Sequence, residues 1–477
     1  MNNYIIVDLG TGNSRVALVS ELGRIYGVRT YENRYYRDEA YEDAQYFLPQ
    51  EWAENIFEGI KSLVLEYPDK KIRGITSSGA RESIVLYDKE GKAFYGLPNI
   101  DNRGREYVKD IPDKEYIYER TGRWVTEDFP AAKLLGLRKK RPEMYDRISA
   151  VTSLSEWVGE LLTGKLVIEP SQACETQLFD IESLSWSERI CGYYGIDMQI
   201  LPKIRKAGES IGQIKPGLNE ILCLSEKAEF VVGGADTQMA VYGSSVETGD
   251  IGIVSGTTSP VVAIVESKFY DKEERCWTDC NLGGMTYQVE TNPGVTGLNY
   301  QRMKAILFPH SSYSEIEAEM KKVKTYYSTA SFSSLAFSQK RSLKQGGFVM
   351  RAPLDANASA ANIMWSLVAD IACSIYVQYR DLCKMVPHDK DYIIGSAGGF
   401  QSENLCQMIA DLTGKKLILY KGYEQASING GTKICNRYFN RAVLEEKEIL
   451  KTFFPQADSL ILNYYKDWEN NRNALNP

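Results

Sequence analysis

The chain has 477 residues, more than one ordinary hydrophobic core supports, so two large domains are expected. Hydrophobic residues make up 43% and charged residues 25%, which is the balance of a soluble globular protein. Lys and Arg number 56 against 63 Asp and Glu, and this mild acidity argues against nucleic-acid and anionic-membrane binding, which need concentrated positive charge.

Apolar runs and cysteines bear on location and on metal sites. No apolar run approaches the roughly 18 residues that cross a bilayer, and Asp8 interrupts the first one, so neither a membrane span nor a signal peptide is expected. The nine cysteines form no CxxC pair and the chain has two histidines, which argues against a Cys/His zinc site. Dispersed cysteines favour reduced thiols, so we predict a cytoplasmic protein whose acid–base chemistry rests mainly on carboxylates, Lys or Tyr.

The first predicted hairpin carries a loop that suits an anion. Two apolar strands flank Gly10 to Arg15, where small residues let backbone N–H groups converge. Asp8, directly before the loop, is placed to bind the Mg²⁺ that accompanies nucleotide phosphates. A plain hairpin turn beside an acid is the alternative for this motif alone. Side chains of the loop add donors and one positive charge: Thr11, Asn13, Ser14 and Arg15.

Strands and helices alternate along the rest of the chain. A hairpin is predicted over 83–95, and the tail after Arg441 is predicted to be helical. Mixed elements in both halves indicate an α/β protein. Apolar spacing predicts helices over 48–66, 153–162, 361–385 and 403–412, and strands over 4–7, 71–76, 392–395 and 416–420.

The pattern of the first hairpin returns about 240 residues later. Two apolar strands flank Ser255 to Ser259, a second loop of small and hydroxyl residues. Alone, this loop is equally consistent with an ordinary turn, but two such loops facing each other would hold one polyphosphate from both sides. The repeat predicts a duplicated architecture with domains at 1–246 and 247–477.

An acid follows the strand that precedes this second hairpin. Asp236 comes directly after Gly233-Gly-Ala, at the end of an apolar run. A carboxylate there can orient and deprotonate a hydroxyl nucleophile. A helix N-cap is the alternative reading of the same residue.

A glycine-rich turn follows the predicted strand at 392–395. The residues from Gly395 to Glu403 lead into a helix, and their glycines would allow close approach to a base or ribose. The turn does not fit G-x-G-x-x-G, and neither a P-loop nor the protein-kinase signatures occur in the sequence. Rossmann dinucleotide binding, P-loop NTPase and protein-kinase functions are therefore disfavoured.

Taken in this order, the segments resemble the FGGY carbohydrate kinases over roughly residues 3 to 436. The resemblance implies an α/β fold of two actin/Hsp70-like (ribonuclease H-like) ATPase domains with an interdomain cleft. It implies Asp236 as the catalytic base, with Asp8 and Asp236 at Mg²⁺. The residues that the resemblance places near ATP are Thr11, Asn13, Arg15, Gly256, Thr257, Asn299, Gly398, Gly399 and Ser402.

The acceptor side of the resemblance rests on two segments. Arg81-Glu82 is similar to the Arg-Glu of glycerol kinases and autoinducer-2 kinases, and Asp101 lies in Asn-x-Asp-x-Arg, with Asn99 where Trp is usual. Arg81 would donate to acceptor oxygens, and Glu82 and Asp101 would accept from acceptor hydroxyls, as would Asp236. A surface ion pair beside a hairpin is the alternative. Phe400 and Lys433 depart from the family pattern.

The combined prediction is an ATP-dependent sugar kinase, most similar to the autoinducer-2 kinase branch. Its partner would be a small polyhydroxylated substrate such as 4,5-dihydroxypentanedione, and a homodimer is the candidate assembly. Xylulose, ribulose, glycerol and gluconate kinases are alternatives within the family. A non-catalytic, ATP-responsive binding protein and an actin-like or Hsp70-like ATPase are alternatives outside it.

Overall fold

The computed structural model describes residues 1–224, 227–337, 342–441 and 447–475. Two seven-stranded sheets dominate it, one from each half of the chain. The strands of the first half are β1 (Asn3–Leu9), β2 (Asn13–Ser20), β3 (Ile25–Glu32), β4 (Tyr36–Arg37), β5 (Gln45–Tyr46), β6 (Ile72–Gly79), β7 (Ile84–Tyr87), β8 (Ala93–Leu97), β9 (Ala150–Ser153), β10 (Val167–Ile168), β11 (Phe179–Asp180), β12 (Ser185–Trp186), β13 (Lys203–Ile204), β14 (Ser210–Gln213), β15 (Glu229–Val231) and β16 (Gly234–Ala235).

The second half supplies the other large sheet and a small β-ribbon. Its strands are β17 (Ile251–Val254), β18 (Val261–Val265), β19 (Trp277–Cys280), β20 (Tyr287–Thr291), β21 (Ser328–Ser331), β22 (Gly347–Met350), β23 (Tyr392–Ser396), β24 (Lys416–Tyr420) and β25 (Ile449–Phe453).

The two large sheets share one topology. The first contains the order β15-β6-β1-β2-β3 and the second the order β24-β23-β17-β18-β20. In each, an antiparallel hairpin leads into a third antiparallel strand, while the first hairpin strand pairs in parallel with a strand that follows much later. The structure therefore confirms the predicted pair of hairpins and the α/β class. Strand β1 is buried along its whole length, as expected for a strand inside a partly parallel sheet.

Helices cover the sheets and connect the two halves. Helix α14 lies in the second half of the sequence but packs on α9 and on strands β1 and β6 of the first half. The helices are α1 (Pro49–Glu66), α2 (Lys114–Thr121), α3 (Pro130–Lys140), α4 (Pro142–Tyr145), α5 (Leu154–Thr163), α6 (Pro170–Ala173), α7 (Glu188–Tyr194), α8 (Pro216–Ile221), α9 (Asp236–Gly243), α10 (Gly297–Leu307), α11 (Tyr313–Met320), α12 (Ala360–Met385), α13 (Glu403–Thr413), α14 (Ala426–Tyr438) and α15 (Leu460–Leu475).

The contact between α9 and α14 depends on glycine. A Cβ atom at Gly243 would lie 1.9 Å from the Ala426 carbonyl oxygen, and one at Gly430 would lie 2.2 Å from the Met239 carbonyl oxygen. Two helices can approach this closely only where the side chains at the crossing are absent. This crossing holds the helix that begins at Asp236 against helix α14.

Helix α12 is the long apolar helix that the sequence predicts. By length and composition alone it could cross a membrane, but 78% of its most apolar stretch is buried inside the protein. It packs on the second sheet and on α13, and it contributes many of the residues of the largest hydrophobic cluster. The helix therefore forms the core of the second half.

The predicted helical tail is correct only in part. Leu460–Leu475 is helical, but Ile449–Phe453 is a strand that pairs antiparallel with β24 at the edge of the second sheet. Ile449 and Leu450 are largely exposed there. Because these apolar residues do not face a core, their spacing does not indicate the type of secondary structure.

Candidate active site

The loop between β1 and β2 has an exposed tip, and hydrogen bonds to Asn33 hold its base in place. Gly12 and Asn13 are exposed, and the Gly10 N–H donates to the Asn13 carbonyl over 3.1 Å. The Asn33 amide donates to the Gly10 carbonyl over 2.6 Å, and Ser14 Oγ donates to Asn33 Oδ1 over 2.6 Å. Asn33 thus fixes the loop shape, a role that no motif in the sequence indicates.

Asp8, next to this loop, is buried and holds several donors. Its carboxylate accepts from Ser78 Oγ and from Ser427 Oγ, both over 2.9 Å, and pairs with Arg15. Arg15 also donates to Gln425 Oε1 over 3.0 Å, and the Asp8 charge raises the pKa of the Arg15 guanidinium. Arg15 is therefore directed to Asp8 and the 425–427 segment, which gives no support to the predicted direct contact between Arg15 and a phosphate.

Asp236 begins helix α9 and lies near Asp8. The residue before it, Ala235, occupies the N-cap position, so the simple capping role for Asp236 does not apply. Its carboxylate accepts from the Thr237 N–H over 2.6 Å. Burial raises the pKa of Asp236 to about 6; the Arg81 charge opposes this rise, and the charges of Asp8 and Glu82 add to it. A carboxylate with such a pKa can accept a proton at neutral pH.

Arg81 is buried in a group of carboxylates drawn from both halves of the chain. Its guanidinium donates to Glu290 over 2.6 and 3.1 Å and lies 3.5 Å from Asp279 and 3.9 Å from Glu175. Burial lowers its pKa, but the charges of Glu290 and Glu175 outweigh burial and hold the pKa well above the ordinary value. The surface-ion-pair alternative for Arg81 is therefore wrong, because the pair is buried and links β20 to the end of β6.

Glu82 and Asp101 both interact electrostatically with Lys133, a residue that the sequence analysis did not single out. Lys133 Nζ donates to the Glu82 carbonyl over 2.7 Å and to the Pro98 carbonyl over 2.8 Å. Burial lowers the pKa of this lysine to about 8. The sequence feature that could have indicated this residue is a single Lys among the apolar residues at the start of α3.

Asp101 itself has a structural role. Its side chain is fully buried, accepts from Arg103 Nε over 2.7 Å and accepts from the Gln45 N–H over 3.0 Å. These bonds hold Gln45 and Arg103 in place, and the geometry gives no support to the predicted contact between Asp101 and an acceptor. Asn99, by contrast, donates to Thr11 Oγ1 over 2.9 Å and so connects the acceptor segment with the first loop.

The second loop, Ser255 to Ser259, also presents an exposed tip at Gly256 and Thr257. The Thr257 carbonyl accepts from the Thr296 N–H over 3.0 Å, which brings the start of α10 against the loop. Asn299, in the first turn of α10, donates to the Val295 and Phe332 carbonyls. Its amide nitrogen is thus committed within the protein, and its oxygen is the group that remains for a ligand.

The glycine-rich turn at 398–401 lies directly beside the second loop. The Gly399 N–H donates to the Ser255 carbonyl over 2.8 Å, while Gly398 is exposed. Ser402 caps α13 by accepting from the Leu405 N–H, and its hydroxyl donates to Glu317 over 3.0 Å. The second loop, α10 and the glycine turn therefore form one surface, and Ser402 caps helix α13 next to that surface.

One segment connects the two loop regions. The Tyr423 carbonyl accepts from the Ala397 N–H over 2.8 Å on the side of the glycine turn. Two residues later, Gln425 and then Ser427 contact Arg15 and Asp8 on the side of the first loop. Residues remote in sequence thus lie in one contiguous network that contains both loops and, through Asp8, Asp236.

Asp8 and Asp236 are the candidate carboxylates for a magnesium ion of the kind that accompanies nucleotides. Within the described ranges, no group of three or more His, Cys, Asp or Glu side chains is arranged to hold a metal by itself. Asp8 and Asp236 interact electrostatically. Two carboxylates suit Mg²⁺, which usually takes its remaining ligands from phosphate oxygens and water.

The chain is similar to known proteins in both sequence and fold. Residues 3–243 match the model of the FGGY family of carbohydrate kinases, N-terminal domain. The chain is 39% identical to "Putative sugar kinase YoaC" of Bacillus subtilis over 468 residues. The aligned region covers 98% of this chain and 96% of that protein. It is 26% identical over 432 residues to the xylulose kinase of Lactococcus lactis, covering 87% of this chain and 84% of that one.

A further relative matches over a shorter part of the chain, and a solved structure matches in fold at low sequence identity. The autoinducer-2 kinase of Salmonella choleraesuis is 29% identical over 185 residues, or 38% of this chain and 35% of that protein. The ligand-bound xylulose kinase of Lactobacillus acidophilus superposes with a TM-score of 0.86 at 17% identity, covering 100% of this chain and 99% of the other. At that identity the match shows the fold, which is the predicted two-domain, actin/Hsp70-like architecture.

Proposed function

Because the chain belongs to the FGGY family of carbohydrate kinases, which are ATP-dependent phosphotransferases acting on hydroxyl groups, we propose that Asp236 is the catalytic base. The observation that carries this proposal is the place of Asp236 at the start of α9, near enough to Asp8, Arg81 and Glu82 for their charges to shift its pKa, which burial raises to about 6. A base with a pKa below the working pH is free to accept the proton of a hydroxyl group.

The proposed reaction is a direct transfer. The acceptor oxygen forms a bond to the γ-phosphorus of ATP, the bond from that phosphorus to the β,γ-bridging oxygen breaks, and the acceptor proton passes to Asp236. The loops at Thr11 and Thr257 offer backbone N–H groups to the phosphates. Bound Mg²⁺ would supply neutralisation of phosphate charge, with Asp8 and Asp236 as its protein ligands. The nucleotide would lie along Gly256, Asn299 and Gly398 of the second domain, 247–477, and the acceptor in the first, 1–246.

The proposal also names the candidate acceptor compounds. We take 4,5-dihydroxypentanedione as the first candidate, because the chain resembles an autoinducer-2 kinase and has Asn99 where the family usually has Trp. Similarity to a xylulose kinase extends over more of the chain and supports xylulose as the second candidate. Ribulose, glycerol and gluconate are further candidates, and a non-catalytic ATP-responsive protein is the alternative from another class.

An acceptor screen tests the function. Purified protein is mixed with ATP, Mg²⁺ and each of 4,5-dihydroxypentanedione, xylulose, ribulose, glycerol and gluconate, and ADP release is followed. We expect one acceptor to give a rate far above the rate without acceptor. ATP binding without acceptor-dependent ADP release in this panel would favour the non-catalytic alternative.

Two neighbouring glycines provide a matched test of the nucleotide site. A Cβ at Gly399 would lie 2.2 Å from Ser255 Oγ, whereas a Cβ at Gly398 would meet nothing within 4 Å. Gly399→Ala should therefore lower the melting temperature and raise KM for ATP. Gly398→Ala should leave the melting temperature unchanged and still raise KM for ATP about tenfold, because the new methyl group displaces the nucleotide alone. An unchanged KM for ATP in Gly398→Ala would contradict the placement of the nucleotide there.

The raised pKa of Asp236 also predicts the pH dependence of the reaction. Only the deprotonated carboxylate can accept a proton, so kcat/KM for the acceptor should fall as the pH drops through about 6. An unperturbed Asp would lose activity only near its ordinary pKa of about 4. The measurement is kcat/KM between pH 4.5 and 8.5 at saturating ATP, with circular dichroism as the control for folding. A rate that stays constant down to pH 5 would exclude the assigned pKa.

A further inference from the structure

Besides Asp279 Oδ1, which lies 2.6 Å from Arg123 in an ion pair, three buried oxygen atoms near Arg81 lack a hydrogen-bond donor. They are Gln172 Oε1, Glu175 Oε2 and Gln288 Oε1, and none has a hydrogen-bond partner among the residues that the structure describes. Their side chains are 1%, 1% and 0% exposed, respectively. Leaving a buried acceptor unsatisfied is costly, so such atoms in a native protein call for an explanation.

The three side chains lie around the same place. Glu175 Oε1 lies 3.9 Å from the Arg81 guanidinium, and Gln288 Nε2 donates over 3.4 Å to Glu290, the residue that pairs with Arg81. Gln172 Nε2 donates over 2.9 Å to the carbonyl of Gly79, two residues before Arg81 in the chain.

This place is also next to the proposed base. Gly79 pairs with Ala235, the residue that precedes Asp236, in the parallel ladder between β6 and β16. Helix α6, which carries Gln172, packs on β16 and on β19. The three oxygens therefore belong to residues next to the segments that carry Asp236 and Arg81, and they come from both halves of the chain.

Each cation of this region already contacts carboxylates or backbone carbonyls, and Arg123 Nε is a buried guanidinium nitrogen here without a hydrogen-bond partner among the described residues. Arg81 is paired with Glu290, and Arg123 contacts Glu175 over 2.5 Å and Asp279 over 2.6 Å. Lys133 donates to two backbone carbonyls. An anionic acceptor would therefore meet acidic side chains and engaged cations, whereas a hydroxyl group can donate its hydrogen to an unsatisfied oxygen.

We propose that Gln172, Glu175 and Gln288 bind the hydroxyl groups of the acceptor, and that the acceptor is consequently an uncharged polyol or ketose rather than an aldonate or a sugar phosphate. The inference rests on the proposed function and narrows it, because it removes gluconate from the candidate acceptors. It also assigns acceptor recognition to Gln288 on β20, a strand of the second half.

Substitution by methionine separates ligand binding from a role in folding. Gln288→Met keeps the approximate side-chain length and removes the unsatisfied oxygen together with only a long 3.4 Å contact to Glu290, so its melting temperature should equal or exceed the wild-type value. Gln172→Met also removes the 2.9 Å donor to the Gly79 carbonyl, so that variant should melt at a somewhat lower temperature. Gln177→Met is the matched control, because Gln177 is equally buried but its amide donates to two carbonyls and accepts from Tyr194. That variant should melt at a lower temperature.

Equilibrium binding then gives the decisive readout. Calorimetric titrations use xylitol, D-xylulose, 4,5-dihydroxypentanedione and D-gluconate with the full-length protein in the presence of ADP and Mg²⁺. We expect at least one uncharged compound to bind the wild type, with Kd raised about tenfold in Gln288→Met and in Gln172→Met. D-Gluconate should not bind.

The outcomes distinguish this inference from the proposed function. Tight binding or phosphorylation of D-gluconate, or unchanged Kd values in both methionine variants, would overturn the inference while leaving the kinase assignment intact. Failure of all the uncharged compounds to bind the wild type would also overturn it. Binding of an uncharged polyol without ADP release would support the inference and count against the proposed function.

Discussion

Replacement of Asp236 by Asn is expected to lower kcat by between about 10²-fold and 10⁴-fold, the range that removal of a general base produces. Asn keeps the shape of the side chain and an oxygen that can accept from the Thr237 N–H, which the carboxylate does over 2.6 Å. It cannot accept the proton of an acceptor hydroxyl. The dissociation constant for ATP should change little, because the Asn oxygen can still coordinate Mg²⁺ and the other proposed nucleotide contacts lie on other segments.

Stability supplies an internal control for this variant. Folding raises the pKa of Asp236 to about 6, so above that pH the carboxylate is ionised in the folded protein and its burial lowers the stability of the fold. At pH 8 the neutral Asn should therefore not lower the melting temperature. Asp197→Asn, at an exposed position, is the control for substitution as such and should keep normal turnover. Turnover of Asp236→Asn within threefold of wild type would refute Asp236 as the base.

Replacement of Arg81 by Met is expected to have the largest effect on stability. It leaves the buried carboxylates of Glu290, Glu175 and Asp279 short of a positive charge. Removing one partner of a buried ion pair typically costs about 3–5 kcal/mol, because the other charge stays buried. Denaturant unfolding monitored by circular dichroism measures this loss.

A double variant tests the origin of that loss. Glu290→Gln combined with Arg81→Met removes the bidentate pair, so the double variant should be more stable than the sum of the single effects predicts. The Arg81 charge also lowers the pKa of Asp236, so in Arg81→Met the acid limb of kcat/KM should move to higher pH. KM for the acceptor should rise far more than KM for ATP. Additive stability effects and equal small changes in both KM values would contradict the role given to Arg81.

Local sequence patterns predicted much of the fold because they depend on neighbouring residues. The two hairpins, helix α12 and the helix that follows Ser402 were all readable from apolar periodicity and glycine turns. The edge strand at Ile449–Phe453 was not, because its exposed apolar residues follow neither period clearly.

The partners within the candidate site could not be predicted because they are remote along the chain. Arg81 and Glu290 are separated by 209 positions, and nothing near Arg81 in sequence indicates that its partner lies on a strand of the other half. Asn33 and Lys133 likewise act through folded contacts with the first loop and with the 82–98 segment. Asp101 matched a family motif, yet its neighbour Arg103 engages it inside the core.

We propose that Thr11, Thr257 and Asp236 surround one triphosphate. A crystal structure with a non-hydrolysable ATP analogue, Mg²⁺ and an uncharged acceptor would show this arrangement. We expect the phosphates between the two loops and the acceptor hydroxyl within hydrogen-bond distance of the Asp236 carboxylate, about 3 Å. A nucleotide bound away from either loop, or an Asp236 carboxylate turned into the packed interior, would contradict it.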